Sequence, residues 1–259
     1  MIKKILLSTF IAIGLTSYSQ EEQKESEDLA SKIQNPIASL ISLPFQNNLD
    51  VGKDIRPTNT LNIQPVYPIS ISKKVNLITR TIIPVISGPI YPEGRRDGIG
   101  NINVSTFFTP AKSSKFIWGV GPTFMFPTIE QGLGFDKFGI APSAVGVYQN
   151  NGWTVGGIIQ NFYGVAGNSN NDLNFFYSQI FVVKQISKGW YVNSAPIFTA
   201  NWNAPGTTRW TAPMGAGFGK LSKVGKLPVN WQLGFYKYLE SATNADYQIR
   251  AQLVFLFPK

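Results

Sequence analysis

The sequence predicts an all-β chain, an up-and-down antiparallel transmembrane β-barrel of about 12 strands preceded by a short helical segment. Three observations carry that expectation. From Thr58 onward, apolar residues alternate with polar or small ones in segments of about 11 to 13 residues, bounded by Gly, Asn, Ser, Lys or Pro clusters. The connections alternate between short and long, and the charges sort by the end of the barrel at which they would lie.

Composition narrows the classes first. The chain has 259 residues, 43% apolar, 13% aromatic and only 14% charged, with a formal net charge of +9 and neither Cys nor His. Soluble domains carry roughly 25% charged residues, so the surface is expected to face something other than water. Without Cys or His there is no disulfide scaffold, no thiolate or imidazole metal site and no His-dependent nucleophilic catalysis. No metal and no cofactor are expected. Disorder is excluded by the 18 Phe, 10 Tyr and 6 Trp.

The elements follow in order. Lys3 and Lys4, the apolar run Ile5 to Leu15 and Ser17-Tyr18-Ser19 read as a secretory signal peptide over 1–19, with an uncleaved anchor as the alternative. Residues 20–39 form a second unit. Glu21 to Asp28 is acidic, and Leu29, Ile33, Ile37 and Leu40 then recur at roughly helical spacing, with Pro36 interrupting. This segment is expected as a periplasmic cap, a plug in the lumen or a surface element. The third unit, 40–259, is the barrel.

Its strands are expected at 40–52, 59–70, 75–87, 98–110, 116–127, 138–149, 153–163, 173–186, 190–201, 209–220, 227–239 and 246–257. The first rests on Ile41, Leu43, Phe45, Leu49 and Val51 opposite Gln46, Asn48 and Asp50, and on the rule that bacterial single-chain barrels have even strand numbers. Strands of soluble proteins average about 5 to 6 residues, whereas a tilted membrane strand needs about 9 to 11 in hydrocarbon, so segment length selects a bilayer over a sandwich. From Trp190 to Trp202, at about 3.3 Å per residue and about 45° of tilt, the chain rises roughly 28 Å, close to the separation of two aromatic girdles.

Tight turns follow even strands, at Ser72-Lys73-Lys74, Ala111 to Lys115, Asn150-Asn151-Gly152, Ser187-Lys188-Gly189 and Ser222 to Lys226. Most odd strands lead into longer loops. That alternation places the tight turns on the periplasmic side. Beyond the N-terminal segment, Asp50, Asp54, Glu93, Asp97, Glu130, Asp136, Asp172, Glu240 and Asp246 all fall in or beside the loops that follow odd strands, while the tight turns and their edges hold Lys73, Lys74, Lys112, Lys115, Lys184, Lys188, Lys220, Lys223 and Lys226. The basic excess therefore marks one end of a barrel. A nucleic-acid surface would set stacking aromatics above clustered cations; here aromatics sit in strands and lysines in turns, and no nucleic-acid partner is expected.

Polar parity gives a candidate lumen lining of Gln64, Asn76, Arg80, Asn101, Asn103, Asn193, Arg209, Asn230, Gln232, Gln248, Arg250 and Gln252, joined by Ser105, Thr123, Asn201 and Thr211. An Arg facing lipid at the midplane costs about 2–4 kcal/mol, so Arg80 and Arg250 are expected inside, either setting anion preference or serving structural hydrogen bonds. Gly119, Gly121, Gly215, Gly217 and Gly219 share that inner parity, leaving room for a solute or plug or, by default, relieving strain where a small barrel bends. Barrel enzymes rely on a His base or its orienter, and the acids here are dispersed, so no catalytic residues are expected.

The runs Asp28 to Asn48 (DLASKIQNPIASLISLPFQNN), Thr60 to Ser70 (TLNIQPVYPIS) and Asn76 to Val85 (NLITRTIIPV) resemble a bacterial outer-membrane family whose members are commonly labelled "transporter" or, misleadingly, "neuromedin U". More distantly, the chain is similar to outer-membrane proteins of the MetA-type phenol-degradation pathway. The resemblance spans most of the chain after the signal, and its N-terminal motifs are the most specific. It implies an outer-membrane barrel that passes a small, hydrophobic or aromatic compound, with no catalytic residues to carry over. The chain departs from the usual aromatic terminus of such barrels by ending Phe257-Pro258-Lys259, which leaves Phe257 as the insertion signal. The expected function is passive passage of a small solute in the cell outer membrane; the alternative is a non-conducting structural or adhesive barrel that binds partners through its loops. Expected partners are outer-membrane lipid, lipopolysaccharide, the barrel assembly machinery during insertion, and the solute.

Overall fold

The computed structural model describes residues 29, 33, 35–89, 93–112, 114–129, 132–167 and 172–257. The signal-peptide features, the acidic run Glu21 to Asp28, Glu130, Pro258 and Lys259 lie outside the described residues.

The chain is a closed 12-strand antiparallel barrel, with 71% of the described residues in strands. Nine crossings are continuous: β1 (Ile41–Val51), β4 (Val75–Pro89), β7 (Phe116–Phe126), β8 (Phe138–Asn150), β9 (Trp153–Ala166), β10 (Asn174–Ser187), β13 (Trp210–Val224), β14 (Leu227–Glu240) and β15 (Tyr247–Phe257). Three are each broken in two: β2 (Thr58–Ile63) with β3 (Val66–Ser70), β5 (Arg95–Ile99) with β6 (Ile102–Pro110), and β11 (Trp190–Ser194) with β12 (Ile197–Asn201). β1 pairs β15 along its whole length, from Ile41 opposite Phe257 to Val51 opposite Tyr247, and pairs β2 on its other side. The first strand therefore closes the barrel and removes both sheet edges.

The breaks differ from the continuous strands that alternation predicts, and two of them have proline as their cause. Pro65 and Pro196 have no N–H to give to a ladder. Around Pro65 the wall stays sealed by Gln64 N–H donating to Pro44 O at 2.8 Å and Thr81 N–H donating to Pro65 O at 3.0 Å. Around Pro196, side chains take over. Ser194 Oγ donates to Gly215 O at 2.7 Å, and Ala195 N–H donates to Tyr236 Oη at 3.3 Å. The expected strand at 209–220 begins at Trp210 instead, because Gly206–Arg209 closes a single helical turn, α1.

Tight turns are built where both central residues accept positive φ, at Asn151 (49°) with Gly152 (73°) and at Lys188 (50°) with Gly189 (78°). Large apolar side chains populate the outer face, Phe108, Val120, Ile159, Ile180, Phe218 and Phe235 among them, each exposed as a lipid-facing residue is. No described helix is long and apolar enough to cross a membrane; the chain crosses with strands. A closed barrel with this exterior lies in the outer membrane.

The interior is packed in patches. Leu29 and Ile33 have helical backbone, and the chain then turns at Pro36-Ile37 before entering β1. Asn35 sets that turn by accepting the Ile37 N–H on its Oδ1 at 3.0 Å, while Ala38 N–H donates to Asn35 O at 3.1 Å. The result drives Ile37, 2% exposed, into a ring of Val66, Ile78, Phe107, Val145, Val147, Ile158 and Phe181 inside the barrel. A Cβ on Gly119 would lie 3.2 Å from Phe107 and Val145 and 3.3 Å from Ile37, so this glycine lets the apolar ring close around the inserted segment. Gly121 and Gly215 serve the other purpose: a Cβ there would fall 1.9 Å from Thr106 O and 2.0 Å from Phe235 O, where adjacent strands approach too closely for any side chain.

Candidate solute site in the barrel lumen

Inward positions are even-numbered in β1 to β4, β9, β14 and β15 and odd-numbered in β6 to β8, β10, β11 and β13, as alternating burial records in most strands and register with β1 and β3 records in β2 and β4. Buried amides and hydroxyls follow that parity and bond to one another. Thr123 Oγ1 donates to Ser105 Oγ at 2.9 Å and lies 2.8 Å from Ser143 Oγ, while Gln160 Nε2 donates to Thr123 Oγ1 at 2.7 Å.

A second network surrounds Arg250, which is 1% exposed. Its Nε donates to Asn48 Oδ1 at 3.1 Å, Nη1 to Ala195 O at 2.7 Å and Nη2 to Gln248 Oε1 at 2.8 Å. Register explains the convergence: Asn48 sits directly opposite Arg250 across the β1–β15 seam, and Gly234 opposite it on β14. The absent side chain at Gly234 lets the Tyr236 ring lie under the guanidinium, 4.4 Å from its centroid. Gln248 passes the charge on, its Nε2 donating to Asp50 Oδ1 at 2.9 Å and to Tyr238 Oη at 2.8 Å. An amide thus bridges the buried cation to the nearest carboxylate. Arg80 is held more loosely, with Nη2 donating to Gln64 Oε1 at 2.6 Å.

Between these groups and the inserted segment lies a cavity of about 130 Å³. Seven of the sequence-predicted residues line it: Gln64, Arg80, Asn193, Asn230, Gln232, Arg250 and Gln252. Its floor is the turn at Asn35, Pro36 and Ala38. Asn230 Nδ2 donates to Tyr191 Oη at 2.9 Å, yet the Oδ1 atoms of Asn230 and Asn193 are buried with no partner among the described residues. A buried acceptor without a donor is costly, and Asn193 Oδ1 is packed against the wall at Gly217 rather than open to the cavity.

The other predicted residues lie elsewhere. Asn76 donates to Ser39 Oγ at 3.1 Å, pinning the end of the inserted segment. Asn101 clamps a long loop, donating to Phe126 O at 3.0 Å and Phe135 O at 2.7 Å and accepting from Phe135 N–H at 2.7 Å. Asn103 Nδ2 donates to Asn101 O at 3.2 Å. Gln248 serves the Arg250 network. Arg209 sits at the end of α1 in a long loop, where Nη2 reaches Ala204 O at 3.3 Å, and does not line the cavity. The alternation of Gln46, Asn48 and Asp50 in β1 was the available signal for the other half of the Arg250 network, while Gln179, a further lining residue, gave none beyond its parity.

An exterior of exposed apolar residues, an interior of paired amides and a closed antiparallel wall define an outer-membrane β-barrel. Among solved structures, the fold is similar to an outer membrane channel of the COG4313 group from Pseudomonas putida F1, with a TM-score of 0.61 and 13% identity over 84% of this chain and 94% of that one. It is also similar to the NanC porin, with a TM-score of 0.54 and 6% identity over 84% of this chain and 100% of that one. These likenesses are of fold. No family model matches the chain, and no curated protein matches its sequence.

Proposed function

We propose that this barrel is an outer-membrane channel for passive passage of a small solute. The cavity at the Asn35 turn carries the reading: an interior filled for structure alone would not leave about 130 Å³ open among Gln64, Arg80, Gln232 and Arg250. The similar folds named above, an outer membrane channel and a porin, support it. So does the resemblance to the "transporter" family and, more distantly, to outer-membrane proteins of phenol degradation. Apolar rings below the cavity at Ile37 and toward the long loops at Met125, Phe162 and Leu173 suit a hydrophobic or aromatic body, while the amides of Gln64, Gln179, Gln232 and Gln252 on the cavity wall suit a polar group on it. A small aromatic compound bearing a hydroxyl joins both requirements.

The same reading assigns 1–19 to export, 20–39 to occlusion of the lumen and 40–259 to the barrel. It assigns no catalysis, because the chain has no His to serve as a base. It also entails contact with lipopolysaccharide and insertion by the barrel assembly machinery. Planar-bilayer recording tests it. The full barrel should give small discrete conductance steps, and deletion of residues 21–39 should enlarge them; no conductance in either form overturns the channel and leaves the structural or adhesive barrel.

A further inference from the structure

At the short-turn end, one side of the exterior has an order that neither the fold nor the lumen requires. Across neighbouring strands, Trp153 on β9 stands opposite Lys184 on β10, Trp190 on β11 opposite Lys220 on β13, and Lys220 opposite Trp231 on β14. All five occupy the outward parity. Lys184 Nζ lies 4.9 Å from the Trp153 ring centroid and Lys220 Nζ lies 5.1 Å from that of Trp190. Trp190 and Trp231 meet edge to face at 5.2 Å, so the rings that carry the lysines are themselves fixed.

The charge of this strip is uncompensated. Neither lysine pairs with a carboxylate among the described residues; Lys184 Nζ donates only to Asn151 O, at 3.2 Å. Lys188 and Lys223 lie in or beside the adjacent turns, and the described acids outside the N-terminal segment all sit toward the opposite end of the barrel. From the lysines toward mid-barrel, the same strands present Val182, Val192, Phe218 and Leu233 to the outside. A cationic, indole-walled ledge thus stands at the foot of an apolar bed. The opposite side of the barrel shows no such alternation: β3, β4 and β6 present Tyr67, Leu77 and Phe108 there.

We propose that this strip is a binding site for one anionic glycerophospholipid of the periplasmic leaflet. Its phosphodiester lies between the Lys184 and Lys220 ammonium groups, with the indoles of Trp153, Trp190 and Trp231 at the level of the glycerol and the acyl chains along Val192 and Phe218. Ammonium groups at a membrane surface attract anionic headgroups, and indoles settle at the headgroup boundary. A net-neutral zwitterionic lipid brings its own cation to the ledge and is disfavoured there. Lipid A, though anionic, occupies the leaflet at the far end.

The site is tested by native mass spectrometry of the detergent-solubilised barrel mixed with equimolar phosphatidylglycerol, phosphatidylethanolamine and lipid A. One phosphatidylglycerol should be retained in preference to the other two, and retention should fall as ionic strength rises. The variant Lys184→Gln with Lys220→Gln should weaken retention roughly 30-fold, the loss expected for two surface lysines each giving about a fivefold preference. Lys73→Gln with Lys74→Gln, on the other side of the barrel, should leave it unchanged. Slower migration of heated than unheated samples in SDS gels confirms that each variant is folded. Equal retention of phosphatidylethanolamine, preference for lipid A, or undiminished retention in the folded Lys184/Lys220 variant each overturns the proposal.

Discussion

Arg250 on the last strand donates to the backbone carbonyl of Ala195 at 2.7 Å, across the lumen and at the point where Pro196 interrupts β11 and β12. A buried guanidinium thus satisfies backbone that the neighbouring strand cannot pair. Arg250→Met should leave the carbonyl oxygens of Ala195, Asn48 and Gln248 without this donor and cost about 3 kcal/mol, within the penalty for orphaning buried acceptors. Urea unfolding of the barrel in vesicles, followed by Trp fluorescence, measures it. Arg250→Lys should recover only part, because an ammonium cannot reproduce the planar fork.

Ile37 is the apolar tooth of the inserted segment, and its ring has no polar partner to offer a charge. Ile37→Asp should expel the turn from the lumen and raise single-channel conductance several-fold, while Ile37→Val should leave conductance near that of the parent. An unchanged trace for Ile37→Asp would show that ions pass elsewhere.

Asn35→Ala removes the acceptor of the Ile37 N–H and should weaken docking of the segment by about 1 kcal/mol, as the loss of one local hydrogen bond does. More frequent open events at constant unit conductance in planar bilayers would record that change.

Glycines of different origin should respond differently. Gly121→Ala forces a Cβ to 1.9 Å from Thr106 O, so the folded, heat-modifiable species should be lost. At Gly225 nothing lies within 4 Å, but φ is +61°, and Gly225→Ala should cost only about 1 kcal/mol. Gly206→Ala meets neither obstacle and should be neutral by the same gel assay.

Sidedness is read by cysteine labelling. Asp172→Cys, beside a long loop, should react with an impermeant maleimide on intact cells, and Ser187→Cys, at a tight turn, only after the outer membrane is breached. Equal labelling would refute the orientation.

Much of this architecture was legible because a barrel strand keeps one parity over its whole length. Alternation from Phe116 to Phe126 or Tyr247 to Phe257 needs no tertiary information, and the strands observed there begin and end within one residue of the expected bounds. Three things were hidden. The breaks beside Pro65 and Pro196 carried a signal in the missing N–H, but the side-chain parity runs through them undisturbed. Arg209 lies next to a strand with the right parity, yet Gly206 to Thr208 coil into a turn that takes it into the loop. The meeting of Asn193 and Arg80 at one cavity depends on the curvature of the wall, which brings together strands far apart in order. Seven of the twelve candidates reached that cavity because polar parity identifies the inside of a barrel, though not the height at which each residue stands.

The seam between β1 and β15 has a consequence for how the molecule tolerates damage. Every crossing is held by two neighbours, and those neighbours need not be connected to it in sequence, so a cut in one of the long loops leaves both flanking strands paired and the wall continuous. Removing β15 is different in kind. It exposes one edge of β1 and one of β14 to lipid, where no water can satisfy them, and takes Arg250 with it. Integrity therefore resides in circular closure more than in the continuity of the backbone.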